Sequence, residues 1–181
     1  MTGYLHIITS VMFGGKTSKL INEINKLSVI KKIYVLNHNF DNRYKDNSIC
    51  SHNNISMKST LCETLNMNDE ELIELRKKYD VIAIDECQFF SDLYDFVLKA
   101  LDKDFYVIIA GLNSNYKQEP FGDILKLIPY ADKVEFLTAF CSICKDGTPG
   151  IFTKRIIHND NEVLIGSEDT YKAVCRKHLN E

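Results

Sequence analysis

The sequence predicts an α/β protein: a parallel sheet flanked by helices, followed by a small metal-binding unit at the C-terminal end. Three observations carry this. Short apolar runs alternate with segments of helical spacing along residues 4–137 of the 181-residue chain. A loop of small residues joins the first apolar run to the first helical segment. Two pairs of metal-ligating side chains, each separated by two residues, stand near the end of the chain. Strands that alternate with helices imply parallel pairing with right-handed crossovers.

Each element has its own signal. Residues 4–9 are an apolar run read as a strand. Residues 19–30 carry Leu20, Ile21, Ile24, Leu27 and Ile30 at helical spacing. Residues 32–36 are β-branched and aromatic, a second strand. Residues 37–54 are polar, hold Asp41, Arg43, Tyr44 and His52, and read as a long loop, of the kind that in compact domains is functional or mobile. Residues 68–78 have acids early and Arg76, Lys77 and Lys78 late, which suits a helix and its dipole. Val81, Ile82, Ala83 and Ile84 form a continuous apolar run, as in a strand buried on both faces. Residues 93–101 are helical in spacing, and 105–110 form another buried strand ending at Gly111. Residues 124–128 read as a short helix closed before Pro129, and 133–137 as a further strand. Beyond Phe140 the texture changes to Cys, Gly, Pro and polar residues. This places a boundary between a unit of residues 1–140 and one of 141–181.

Composition narrows the function classes. Apolar residues are 45% of the chain, so it can build a real core. Lys and Arg total 22 against 25 Asp and Glu, a formal charge of -3, which argues against general nucleic-acid binding. No stretch approaches transmembrane length and no signal-like segment opens the chain, so no membrane partner is expected. The six cysteines do not form a short secreted framework, and a reducing, cytoplasmic location is expected.

The loop Ser10-Val11-Met12-Phe13-Gly14-Gly15-Lys16-Thr17 stands between strand and helix, the context of a phosphate-binding loop. Small residues let backbone N–H groups curl around phosphate, and the new helix offers its positive end. Lys16 would reach the β and γ phosphates, and the Thr17 hydroxyl would ligate Mg²⁺. The usual pattern begins with Gly where this chain has Ser10, and Ser adopts a left-handed backbone less readily. The strand of residues 81–84 ends in Asp85 and Glu86, at the sheet edge where open α/β folds bind ligands. Asp85 suits the Mg²⁺-associated acid, and Glu86 a base for an attacking hydroxyl.

Cys141-x-x-Cys144 and Cys175-x-x-His178 suit tetrahedral Zn²⁺. Four protein ligands leave no open position, so the site is structural rather than catalytic. Cys50, Cys62 and Cys87 lack such spacing. Cys62 reads as core filler, Cys87 as near the site without being a nucleophile, and His6 and His38 as structural or surface residues.

Together these residues resemble type II thymidine kinases. Asp85-Glu86-Cys87-Gln88-Phe89-Phe90 is similar to their Asp-Glu-x-Gln-Phe-Phe signature. Met12-Phe13-Gly14-Gly15-Lys16-Thr17 is similar to their phosphate loop, and Asp41-Asn42-Arg43-Tyr44 to their Asp-x-Arg-Tyr loop. Gly111-Leu112-Asn113 through Glu119-Pro120-Phe121-Gly122, then Cys141-x-x-Cys144, Thr153-Lys154-Arg155 and the segment from Tyr171 to Cys175, follow in the family's order, over nearly the whole chain.

The resemblance implies transfer of the ATP γ-phosphate to the 5′-hydroxyl of thymidine, with Glu86 as general base. It implies Mg²⁺ with ATP at Thr17 and Asp85. It further implies phosphate contacts from the loop 10–17, Asp41, Arg43 and Gln88. Phe89 and Tyr116 would wall the thymine ring, with Met12 and Leu112 near its 5-methyl group and Phe121 and Thr153 as further contacts. Residues 145–170 correspond to a lasso loop closing over the base, where Glu162, Val163, Leu164, Ile165 and Gly166 present backbone groups; Tyr171 lies near the sugar. The family more often has Phe at the position of Tyr116, Cys at that of His178 and Gly at that of Ser167. A homotetramer inhibited by thymidine triphosphate is also implied. Two other readings stay open on sequence alone. One is a small P-loop kinase with a different acceptor, the other a non-catalytic nucleotide-binding or zinc-ribbon module. The absence of arginines just after Asp85 favours an uncharged nucleoside, and the joint presence of Lys16, Thr17, Asp85 and Glu86 favours catalysis.

Overall fold

The computed structural model describes residues 2–39, 48–50, 56–158, 164 and 166–181. Its centre is a six-stranded parallel sheet. The strands are β1 (Tyr4–Ser10), β2 (Ile33–His38), β5 (Thr60–Cys62), β6 (Val81–Ile84), β7 (Tyr106–Leu112) and β8 (Lys133–Leu137). Their order across the sheet is β5-β2-β6-β7-β1-β8. Strand β1 pairs with β7 and β8, β2 with β5 and β6, and β6 with β7, all parallel. Every strand expected up to residue 137 is present. Asn37 and His38, expected in a loop, belong to β2, and β3 (Ser48–Cys50) pairs antiparallel with β4 (Ser56–Lys58).

The continuous apolar runs are explained by cover on both faces. Successive strand residues point to opposite sides. Ile7, Ile82 and Ile109 therefore pack in one core, with Phe90, Phe96 and Leu101. Ile8, Ala83 and Ile108 pack in another, against Leu20, Ile21 and Ile24. Those last three form the inner face of α1 (Lys16–Leu27). Ile30, expected on the same stripe, lies past the helix end and is 78% exposed. Helix α2 (Asp69–Arg76) starts with a reciprocal cap. The Asn68 side chain accepts from the Glu71 N–H at 2.9 Å, and the Glu71 carboxylate accepts from the Asn68 N–H at 2.8 Å. Helix α3 (Leu93–Asp102) buries Leu93, Phe96, Val97, Ala100 and Leu101 at helical spacing. The expected short helix near 124 is a 3₁₀ segment, Ile124–Tyr130, that runs through Pro129 instead of stopping before it.

Beyond the sheet, β9 (Ala139–Phe140) pairs antiparallel with β10 (Pro149–Gly150), and β11 (Phe152–Arg155) with β12 (Tyr171–Val174), followed by α4 (Arg176–Leu179). A separate small cluster of Cys141, Val174 and Cys175 forms their interior, with Cys144, Phe152 and Leu179 against it. Among the described residues no helix is long and apolar enough to cross a membrane.

Candidate active site and metal centre

The carboxyl ends of β1, β6 and β7 lie side by side, because these strands are neighbours in the sheet. The loop after β1 winds tightly. Ser10 ends β1 in register with Leu112 and Leu137, so its backbone is extended. The left-handed conformations fall instead on Phe13 (φ 64°) and Gly15 (φ 79°), which corrects the expectation for Ser10. Gly14 is required by space: a Cβ there would lie 1.8 Å from Ser10 Oγ. The loop closes through the Gly14 N–H on the Val11 carbonyl at 3.3 Å and Lys16 Nζ on the same carbonyl at 2.9 Å. No side chain caps α1 at Gly15. The first-turn N–H groups of such a helix suit an anion.

Asp85 closes β6 and is 3% exposed. Burial, then the charge of neighbouring Glu86, pushes its carboxyl up to about 7, against the opposing pull of the Thr17 hydroxyl and Lys16. The hydrogen bond between Thr17 and Asp85 joins the two residues expected to hold Mg²⁺. Hydroxyl and carboxylate oxygens are the hard donors that Mg²⁺ takes.

Glu86 sits in a left-handed backbone conformation, φ 50°. Such a conformation costs about 1–3 kcal/mol for a non-glycine residue and clusters at functional sites. Its carboxylate accepts from Gln88 Nε2 at 2.7 Å, while Gln88 Oε1 accepts from the Leu112 N–H at 3.0 Å. Gln88 is 3% exposed. Its buried amide therefore ties Glu86 to the end of β7. Gly111 and Gly122 leave room for this contact, since a Cβ on Gly111 would come 2.7 Å from Gln88 Oε1 and one on Gly122 2.4 Å from the Gln88 carbonyl. Cys87 lies beside Gly111, and burial holds its thiol well above the usual range, unsuited to nucleophilic chemistry. Cys62 packs on the core as expected, its thiol pushed up to about 11 by burial.

Most of the residues expected around a nucleoside are tied together by ring contacts and hydrogen bonds. Phe89 is half-buried and meets Phe121 edge-on at 5.5 Å and His38 at 5.6 Å between ring centres. The Met12 N–H donates to Thr153 Oγ1 at 3.0 Å, linking the loop after β1 to β11. Tyr171 donates its hydroxyl hydrogen to the Leu164 carbonyl at 2.9 Å and accepts from Arg155 Nη2 at 2.9 Å. Arg155 also stacks on Tyr116, its guanidinium carbon 3.7 Å from the ring centre. Leu112 is half-buried at the end of β7, and Gly166 packs so closely that a Cβ would lie 2.4 Å from Thr170. Asp41, Arg43, Tyr44, His52, Glu162, Val163 and Ile165 lie outside the described residues. Sequence reasoning gave no role to Arg155 or Asn115. Asn115 is 4% exposed, and its Oδ1 accepts from the Lys117 and Glu119 N–H groups at 2.9 and 3.1 Å. The sequence signal for it is an Asn four residues before Glu119-Pro120 in a turn. His6 is structural as expected, its ring nitrogen 2.8 Å from Glu135.

The four C-terminal ligand residues come together. His178 Nδ1 lies 3.6, 3.4 and 3.3 Å from the sulfurs of Cys141, Cys144 and Cys175, and Cys144 and Cys175 are 3.8 Å apart. Ligands about 2.3 Å from a central ion at tetrahedral angles stand roughly 3.8 Å apart. All four donor atoms fall within 4.8 Å of one another. This Cys₃His cluster fits a four-coordinate metal.

The family model described as thymidine kinase matches residues 3–179. The thymidine kinase of Oryza sativa subsp. japonica is 39% identical over 180 residues, which cover 97% of this chain and 66% of that protein. The thymidine kinase of Fowlpox virus is 37% identical, covering 97% of this chain and 96% of that protein. That of Thermococcus kodakarensis is 33% identical, covering 97% and 93%. A tight glycine-containing loop after β1, an acid pair at a nearby strand end and a Cys₃His cluster thus occur in a chain matched along almost its whole length, and the chain belongs to the thymidine kinase family.

Proposed function

We propose that the protein transfers the γ-phosphate of ATP to the 5′-hydroxyl of thymidine, giving thymidine monophosphate for DNA-precursor salvage. The observation that carries this reading is the placement of Lys16, the Thr17–Asp85 pair and the Gln88-held Glu86 at one sheet edge of a thymidine kinase family member. Glu86 takes the proton of the 5′-hydroxyl as its oxygen attacks the γ-phosphorus; the bond to the β–γ bridging oxygen breaks, and ADP leaves. Gln88 holds the carboxylate in place for that transfer. Lys16 and the loop N–H groups stabilise charge on the phosphate oxygens, where phosphoryl transfer needs it. The family resemblance assigns Arg43 and Asp41 to phosphate binding as well. Thr17 and Asp85 would hold Mg²⁺, which when bound neutralises charge between the β and γ phosphates.

On the nucleoside side, Phe89 and Tyr116 wall the base, Met12 and Leu112 approach its methyl group, and Phe121 and Thr153 add contacts. Leu164 and Gly166 offer backbone groups and Tyr171 borders the sugar. Residues 141–181 act as a separate unit, a lasso tied by structural Zn²⁺ on Cys141, Cys144, Cys175 and His178. The protein works in the cytoplasm as a homotetramer inhibited by thymidine triphosphate, an assembly that sedimentation tests. The deciding experiment is phosphate transfer from labelled ATP to each deoxynucleoside. Thymidine and deoxyuridine turn over, and deoxyadenosine does not. Comparable turnover of deoxyadenosine would contradict the reading.

A further inference from the structure

We infer that Arg155 is a positioning residue for the nucleoside half of the site: it locks Tyr116, Tyr171 and the Leu164 carbonyl into one arrangement and so sets nucleoside affinity. This rests on the proposed reading that these three residues surround the nucleoside.

The argument starts from strand register. In the β11–β12 pair, Arg155 stands directly opposite Tyr171, and Thr153 opposite Ala173. Thr153 and Arg155, two residues apart, share one face of β11. Thr153 uses that face to accept from the Met12 N–H in the phosphate loop. Lys154, on the other face, donates to the His178 carbonyl at 3.0 Å beside the metal cluster. Strand β11 therefore turns one face to the catalytic loops and the other to the metal cluster. Arg155 lies where the first face reaches the Tyr116 loop.

Its contacts suit a guanidinium and no other side chain. The planar group lies 3.7 Å from the Tyr116 ring centre, a stacking distance, and 5.4 Å from that of Tyr171. At the same time Nη2 donates to the Tyr171 hydroxyl, which passes its own hydrogen to the Leu164 carbonyl. Lysine cannot stack flat on one ring and donate in plane to a second. The loop carrying Tyr116 is fixed internally by Asn115, whose Nδ2 also donates to Glu119 Oε2 at 3.0 Å. What Arg155 adds is the link between that loop and the lasso arm. A chain of four residues, Tyr116, Arg155, Tyr171 and Leu164, thus spans both sides of the proposed base position. Each link is a cation–π contact or a hydrogen bond in a partly desolvated place, where such contacts have their larger values.

The test is steady-state kinetics of Arg155→Gln and Arg155→Lys, with thymidine and ATP varied separately, and metal content measured on each variant. Arg155→Gln should raise the thymidine KM about tenfold, the size expected for losing one stacked cation and one charged hydrogen bond. The ATP KM, kcat and metal content should stay within about twofold. Arg155→Lys should recover only part of the loss. Tyr171→Phe removes the shared hydroxyl, so combining it with Arg155→Gln should cost less than the product of the single effects. An unchanged thymidine KM in Arg155→Gln would overturn the inference, as would parallel loss of ATP affinity and metal, which marks a general folding role. A parental protein inert towards thymidine, yet phosphorylating another nucleoside, would instead overturn the functional reading on which the inference rests.

Discussion

Ser10 and Gly14 share one small space in the loop proposed to bind phosphate, and the sharing is testable. The Ser10 hydroxyl is buried with no hydrogen-bond partner among the described residues, and it sits where a side chain on residue 14 would go. Gly14→Ala should therefore push the loop open and weaken ATP binding by about tenfold or more, as overpacking of about 1–3 kcal/mol implies. Ser10→Gly alone should be nearly neutral. The double variant should regain most of the lost affinity, because the nearest remaining atom to the new Cβ is the Val11 carbonyl at 3.2 Å. Titration calorimetry with ATP reads all three, and a double variant as weak as Gly14→Ala would mean that the backbone, not Ser10, sets the restriction. At Glu86 the expected loss lies in the chemical step. Glu86→Gln preserves a partner for Gln88 but cannot take a proton, so kcat should fall about 10²–10⁴-fold while thymidine still binds. Near-parental kcat would remove Glu86 from the role of base.

At the scale of elements, β8 is an edge strand paired with β1, and Glu135 adds polar contacts to the backbone ladder. Glu135 lies 2.8 Å from the His6 ring nitrogen on β1, 3.1 Å from Lys19 on α1 and 2.7 Å from Lys133. Burial alone would raise its pKa, but the hydrogen bonds from Lys133, Lys19 and His6 outweigh burial and hold it at about 2. A carboxylate depressed by folding adds stability above its unfolded pKa and loses it as pH falls through the folded value. Glu135→Gln should thus destabilise the protein at pH 7, by about 1 kcal/mol after allowing for solvent screening of a partly exposed group. The difference from the parent should shrink between about pH 4.5 and 2, as urea unfolding at several pH values will read. A pH-independent difference would point to packing instead. The same scale explains what the sequence could and could not disclose. Buried parallel strands such as Val81–Ile84 announce themselves as unbroken apolar runs, and α1 as a stripe. Strand β5 gives no such signal, being three residues long with Thr60 exposed and only Leu61 and Cys62 partly covered. The metal cluster was legible because both half-sites are local in sequence. The Arg155–Tyr116 stack was not, because it joins residues 39 positions apart with no pattern between them. Gln88 was legible as part of a motif, but its grip on Glu86 and Leu112 needed three-dimensional placement.

At the scale of the whole molecule, one short ladder runs from the Cys₃His cluster to the proposed nucleoside position. Strands β11 and β12 pair from Phe152 opposite Val174, beside the cluster, to Arg155 opposite Tyr171, beside the proposed nucleoside position. The cluster's own apolar interior is small: Cys141, Val174 and Cys175, flanked by Cys144, Phe152 and Leu179. Such an interior has little to hold it without an ion, and metal bound only to the folded form contributes directly to folding. Loss of the ion should therefore fray the ladder from its Phe152 end, loosening Arg155 and Tyr171 before it disturbs the sheet. The loop proposed to bind phosphate has independent support from β1, α1 and the large cores on both sheet faces. Cys144→Ser should lose about one equivalent of Zn²⁺ per chain and raise the thymidine KM several-fold, with a smaller change in the ATP KM. Elemental analysis of the purified protein reads the first outcome, and kinetics with each substrate varied reads the second. A zinc-free parental protein with full activity, or a Cys144 variant with normal thymidine KM, would mean that the ladder is stable by itself and that the cysteine cluster serves some other end.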